Sequence, residues 1–135
     1  MSTDRTKVEE LCRNYLAAME HGDLEALLAN FTDDATATSP ISGKQSAREF
    51  YSFVMRVTSG RSMALRTIFI GATEMSRAAI HVAYTRTVGS GTPATIEAVD
   101  VFELTEDRSK FTAVTIIYDT APVRPDFDRP EARRS

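Results

Sequence analysis

The run Ile96-Glu97-Ala98-Val99-Asp100-Val101-Phe102-Glu103-Leu104 carries an aspartate where its pattern asks for an apolar residue. Strand alternation puts Ile96, Ala98, Asp100, Phe102 and Leu104 on one face and the two glutamates on the other, so Asp100 points to the apolar side. An ionised carboxylate is costly there unless it is paired, and such a group tends to keep its proton and donate a hydrogen bond. Taken alone, Asp100 is either a structural aspartate satisfied by a backbone amide or a water, or a site residue offering a proton to an oxygen. Tyr15 falls in an apolar helical stripe, Tyr51 on the inner side of a later helix, and Tyr118 in register with Val114 and Ile116. A phenol in such a place is a core aromatic whose hydroxyl needs a partner, or part of a site. Two or three phenols and a carboxyl aimed at one interior predict a buried polar cluster or the wall of a pocket.

Other chemistries find little support. His21 precedes Gly22 at a helix end, where an imidazole complements the dipole, and His81 between Ile80 and Val82 reads as outward-facing. Two histidines without ligand spacing predict no metal, and no Gly-rich phosphate loop, nucleophile elbow or CxxC motif is present, so no cofactor is expected. Asp33-Asp34 reads as a solvated turn.

The elements that position these residues follow from periodicity. Val8, Leu11, Cys12, Tyr15, Leu16 and Met19 form one stripe of a first helix. Gly22 stops it, and Asp23 caps a short second helix carrying Leu24, Leu27, Leu28 and Phe31. A short extended piece over 35–38 and the turn residues 39–43 precede a third helix predicted from about Lys44 to Thr58. Four extended runs follow, Leu65–Ile70, Ala78–Val88, Thr95–Leu104 and Phe111–Tyr118, as an antiparallel meander. Helices first and strands afterwards predict an α+β fold, three N-terminal helices on one face of a curved antiparallel sheet. Residues 1–121 read as one domain and residues 122–135, with three prolines and four arginines, as a flexible C-terminal tail.

Composition bounds the partners. The 135 residues are 42% hydrophobic and 26% charged, ordinary for one globular domain, and tryptophan is absent beside four tyrosines and seven phenylalanines. Sixteen basic against 19 acidic residues give a net charge of −3, the wrong sign for non-specific phosphate binding, so no nucleic acid is expected. One cysteine, Cys12, forms no internal disulfide and fits a reducing compartment. The N-terminal run enters a charged amphipathic helix with no signal-peptide block, and no segment reaches the ~20 apolar residues of a membrane span. A soluble, cytoplasmic chain with no membrane partner is the expectation.

The runs Tyr15-Leu16-Ala17-Ala18-Met19-Glu20-His21-Gly22-Asp23-Leu24-Glu25-Ala26, Phe31-Thr32-Asp33-Asp34-Ala35-Thr36, Gly43 leading to Phe50-Tyr51, and Val99-Asp100-Val101-Phe102 resemble the nuclear transport factor 2-like superfamily. Within it they are most similar to ketosteroid isomerases and SnoaL-like polyketide cyclases, over roughly residues 7 to 120. The resemblance implies a cone of three helices against a strongly curved sheet, enclosing an apolar pocket, in a homodimer. It implies that Tyr15 and Asp100 are the catalytic residues of an oxyanion hole, a tyrosine beside a protonated aspartic acid. By the same match Tyr51 supports Tyr15, Phe31 replaces a supporting tyrosine, and Tyr118 stands at a pocket tryptophan position. Ser39, Phe50, Tyr51, Val82, Ala98, Val114, Ile116 and Tyr118 are the expected ligand-binding residues for a small hydrophobic carbonyl or phenol compound.

The departure is at the base. Ser39 before Pro40 stands where the isomerases carry the aspartate that takes the α-proton, and a neutral serine cannot do so without an activating partner. Four functions remain open: an isomerase- or cyclase-like enzyme with a base from elsewhere, such as Asp119; a binding protein without turnover; a dimerisation module; and an epoxide hydrolase. The last needs two carboxylates and an arginine around one water, and Arg86 and Glu97 are read as facing wrongly for it.

Overall fold

A computed structural model describes residues 2–73 and 76–127. Helix α1 spans Ser2–His21, and the stripe from Val8 to Met19 is buried throughout. Gly22, at φ 69°, turns the chain, and Asp23 caps α2 (Leu24–Leu28) by accepting from the Ala26 amide at 3.0 Å. Strands β1 (Phe31–Ser39) and β2 (Gly43–Ser46) pair antiparallel around the Pro40–Ser42 turn. Helix α3 (Ala47–Val57) follows. The Ser46 hydroxyl accepts from the Glu49 amide and donates to the Glu49 carboxylate, both at 3.0 Å, an N-cap that fixes the helix start. Strands β3 (Thr58–Ile70), β4 (Arg77–Val88), β5 (Ala94–Leu104) and β6 (Phe111–Ile117) form the meander, and α4 (Arg124–Phe127) ends the described chain.

The architecture is α+β: one open six-stranded sheet in the order β2-β1-β6-β5-β4-β3, with helices against it. Register shifts in β1, β3 and at the β5–β6 pair place irregularities that bend strands. The α1 stripe, Ala47, Phe50 and Tyr51 of α3, and Ile80, Val82, Ala98, Phe102 and Val114 of the sheet share one core.

Three expectations need correction. Between α2 and α3 stand two strands and not one short extended piece: β1 takes in Phe31, expected on the second helix, and β2 takes in 44–46, expected to begin the third. The sheet is not wholly antiparallel, because β1 pairs with β6 in parallel. Asp33-Asp34 lies inside β1 and not in a turn; the register shift between Phe31 and Thr36 leaves both carboxylates in solvent. The expected tail also begins with structure: Val123 is buried, and Asp126 on α4 reaches a buried arginine. Residues 128–135 of that tail lie outside the described residues.

Candidate functional site

Helix α1 lays Tyr15 into the core between aromatic rings. Its ring meets Phe102 at 5.1 Å, Tyr51 at 6.0 Å, and Phe31 and Phe111 at 6.3 Å, all edge-on. Each such pair contributes ~0.5–1.5 kcal/mol beyond burial, so the ring is held from four sides. Held in this way, the Tyr15 hydroxyl donates to Asp100 Oδ2 at 3.2 Å. It has one proton, so the contact with Tyr51 at 2.8 Å makes Tyr51 the donor there. The chain of hydrogen bonds runs Tyr51 to Tyr15 to Asp100.

Strand β5 presents Asp100 with Ile80 beside it on β4 and Ile116 on β6. Burial among such neighbours pushes its carboxyl up to about 7, against the opposing pull of the Tyr15 hydrogen bond. Burial first, and the Asp100 charge second, drives Tyr15 well above the ordinary phenol range, and Tyr51 likewise. All three groups therefore hold protons readily near neutrality. A protonated Asp100 and the Tyr15 hydroxyl are two donors that can meet one incoming oxygen, with Tyr15 released from its bond to the carboxylate. Cys12, also buried, is pushed up to about 12 and remains a thiol.

Tyr15, Tyr51 and Asp100 line one cavity with ≈ 70 Å³ of space open to water. At ~10–15 Å³ of such space per water, it admits a handful of waters or a flat ligand of one or two fused rings. From the expected ligand-binding set, Ser39 of β1, Phe50 and Tyr51 of α3, Val82 of β4, Ala98 of β5, and Ile116 and Tyr118 at the end of the meander line it. Val114 does not: it is fully buried in the core beneath the cavity lining. Ser39 Oγ accepts the Ser42 amide at 3.2 Å, and no acid other than Asp100 is among the lining residues.

Asp119 is exposed and accepts the Ala121 amide, so it is no base for this cavity. Glu97 faces outward as read, bound by Arg66 at 2.7 Å and His81 at 2.8 Å. Arg66 beside it lowers the Glu97 carboxyl to about 2. Arg86 is the residue misread: its side chain is buried and lines the cavity. Tyr84, unused in the sequence reading, lines it too. The signal was available, because an outward His81 and Thr85 put Val82, Tyr84 and Arg86 together on the inner face. Among the described residues, no cluster of histidine, cysteine and acidic groups could hold a metal, and no helix is long and apolar enough to cross a membrane.

An open, mostly antiparallel sheet with helices against it is a nuclear transport factor 2-like fold. Residues 12–112 match the SnoaL-like domain, and the chain belongs to that family. No curated protein sequence matches it. Among solved structures it is similar to PrhC from Penicillium brasilianum, at 17% identity and a TM-score of 0.79, over 97% of this chain and 92% of that one. It is similar to a putative polyketide cyclase from Pseudomonas putida, at 22% identity and a TM-score of 0.69, over 83% and 91%. A third similar structure is TerC co-crystallised with polyporic acid, at 20% identity and a TM-score of 0.75, over 91% and 99%.

Proposed function

We propose that the chain binds a small, mostly apolar carbonyl or phenol compound, whose oxygen is received by Tyr15 and Asp100 acting as an oxyanion hole. One observation carries this reading: Tyr15, 3.2 Å from the buried Asp100 and supported by Tyr51 at 2.8 Å, stands at the wall of an apolar cavity. Donors set in advance in a dry site favour an oxygen that carries or develops negative charge. The similar putative polyketide cyclase and the similar TerC with its polyporic acid are in keeping with a ring-bearing oxygen compound. An isomerase or cyclase activity belongs to this reading where the substrate or water takes the proton. The alternative, a pocket that holds its ligand without turnover, is favoured by the neutral Ser39 at the position matched to the base. A homodimer is part of the same reading, supported by Phe69 and Ile117, half exposed on the sheet.

The test is titration with 2-naphthol, read by fluorescence, at pH 6. A hydrogen bond to a charged or charge-developing partner is worth ~1.5–3 kcal/mol, so Tyr15→Phe is expected to weaken binding about tenfold or more. Asp100→Leu is expected to do the same. Unchanged affinity in both variants would sink the oxyanion-hole reading.

A further inference from the structure

The cavity holds a second polar feature away from Tyr15 and Asp100. Arg86 lies on β4 with its side chain 3% exposed, on the inner face with Val82 and Tyr84. A guanidinium does not discharge its proton, so its burial must be compensated by acceptors. The compensation is incomplete. Asp126 Oδ2 stands 3.7 Å from Nη1, beyond hydrogen-bonding distance, and the buried Nη1 has no hydrogen-bond acceptor. The neighbouring Tyr84 hydroxyl is buried with no bond of good geometry either. The positive charge of Arg86 is felt at both Tyr84 and Tyr118, whose phenols it biases toward ionisation against the effect of burial. One cation and two phenols thus line the same wall, and all three can donate to an anion.

Strand register separates this wall from the oxyanion hole. Arg86 pairs with Ala94 on β5, six residues along that strand from Asp100, and its long side chain lines the same cavity from that end. We infer that Arg86, with Tyr84 and Tyr118 beside it, is an anion subsite that receives a carboxylate on the far side of the ligand from the oxygen held by Tyr15 and Asp100. The inference rests on the proposed function for the ligand's other end and for the shared cavity, and it narrows the ligand class to ring-bearing acids. Asp126 is then the competing carboxylate, close enough to offset the charge and too distant to satisfy it.

Three fluorescent probes separate the two ends: 2-naphthol, 2-naphthoate and 6-hydroxy-2-naphthoate. The wild-type chain is expected to bind hydroxynaphthoate about tenfold more tightly than 2-naphthol, the worth of a charge-assisted pair. Arg86→Gln is expected to weaken both carboxylates about tenfold more than it weakens 2-naphthol, whereas Tyr15→Phe weakens the two hydroxyl probes and spares 2-naphthoate. Naphthoate binding that depends on Arg86 supports the subsite even where 2-naphthol fails to bind, which sinks only the oxyanion-hole reading. Carboxylate probes that do not bind, or that bind equally to Arg86→Gln, overturn the subsite whatever 2-naphthol does. Should Arg86→Gln fail to fold, Asp126→Asn carries the test. Removal of the competing carboxylate is expected to tighten 2-naphthoate several-fold and leave 2-naphthol as it was, and no selective gain overturns the inference.

Discussion

At position 39 a hydroxyl stands in a cavity whose single acid, among the described residues, is Asp100. Tyr15 and Asp100 can stabilise an enolate oxygen, but nothing beside them removes the α-proton that makes one. The Ser42 amide that bonds Ser39 Oγ at 3.2 Å would equally bond a carboxylate, so the turn is ready to hold an aspartate. Ser39→Asp is therefore expected to convert 3-cyclohexenone to 2-cyclohexenone: the new carboxylate takes the α-proton, the two donors hold the dienolate oxygen, and the proton returns at the γ-carbon. The rise in conjugated-enone absorbance measures it, with the wild type at background. No gain in a variant that still binds 2-naphthol would show that more than the base has been lost. Alternation marked Asp100 as the polar member of an apolar face, and the family resemblance paired it with Tyr15. The charge of Arg86 concealed its place on the inner face, where the alternation of β4 puts it.

The helices and the meander were legible because each carries its own period and its own stop. Gly22-Asp23 ends one helix and caps the next by chemistry two residues long. Of strand β1 only residues 35–38 were legible, and its parallel pairing with β6 was not, since Phe31–Ser39 mixes exposed aspartates with buried alanines and its partner is about 80 residues away in the chain. The segment after β6 hid its structure for a different reason. Pro122, Arg124 and Pro125 give no periodicity around the one apolar residue that docks, Val123, 1% exposed. Pro125 sits within the first turn of α4, where a missing N–H is tolerated. Full burial of a valine side chain is worth ~1.5–3 kcal/mol, so Val123→Ala, which leaves a cavity, is expected to cost about 2 kcal/mol in urea unfolding. A loss below ~0.5 kcal/mol, the range of ordinary surface changes, would mean that the segment rests on the domain without contributing to it.

For the molecule as a whole, the buried cluster sets a conflict between site and stability that pH exposes. In the unfolded chain Asp100 releases its proton near the ordinary value of 3.8, whereas in the folded chain burial holds the proton until about pH 7. Between those values the folded state binds the extra proton, so stability falls as pH rises through the window, is lowest above pH 7, and is flat there. Three pH units at 1.36 kcal/mol each make the full cost about 4 kcal/mol. The exposed Glu97 and Asp107, both lowered to about 2 by their hydrogen-bond partners, act in the opposite sense and in a separate window, losing their contribution only as pH falls below the usual carboxylate range. Asp100→Asn keeps an acceptor for the Tyr15 hydroxyl and removes the titration. Its stability relative to wild type is expected to rise from pH 4 to pH 7 and then level off, as read from urea midpoints across that range. The same midpoints taken with saturating 2-naphthol are expected to favour the wild type most at low pH, where Asp100 keeps the proton it offers to the ligand. A difference between the two chains that does not change with pH would mean that Asp100 is already ionised when folded, held by its Tyr15 hydrogen bond against the cost of burial, and so has no proton to offer an incoming oxygen.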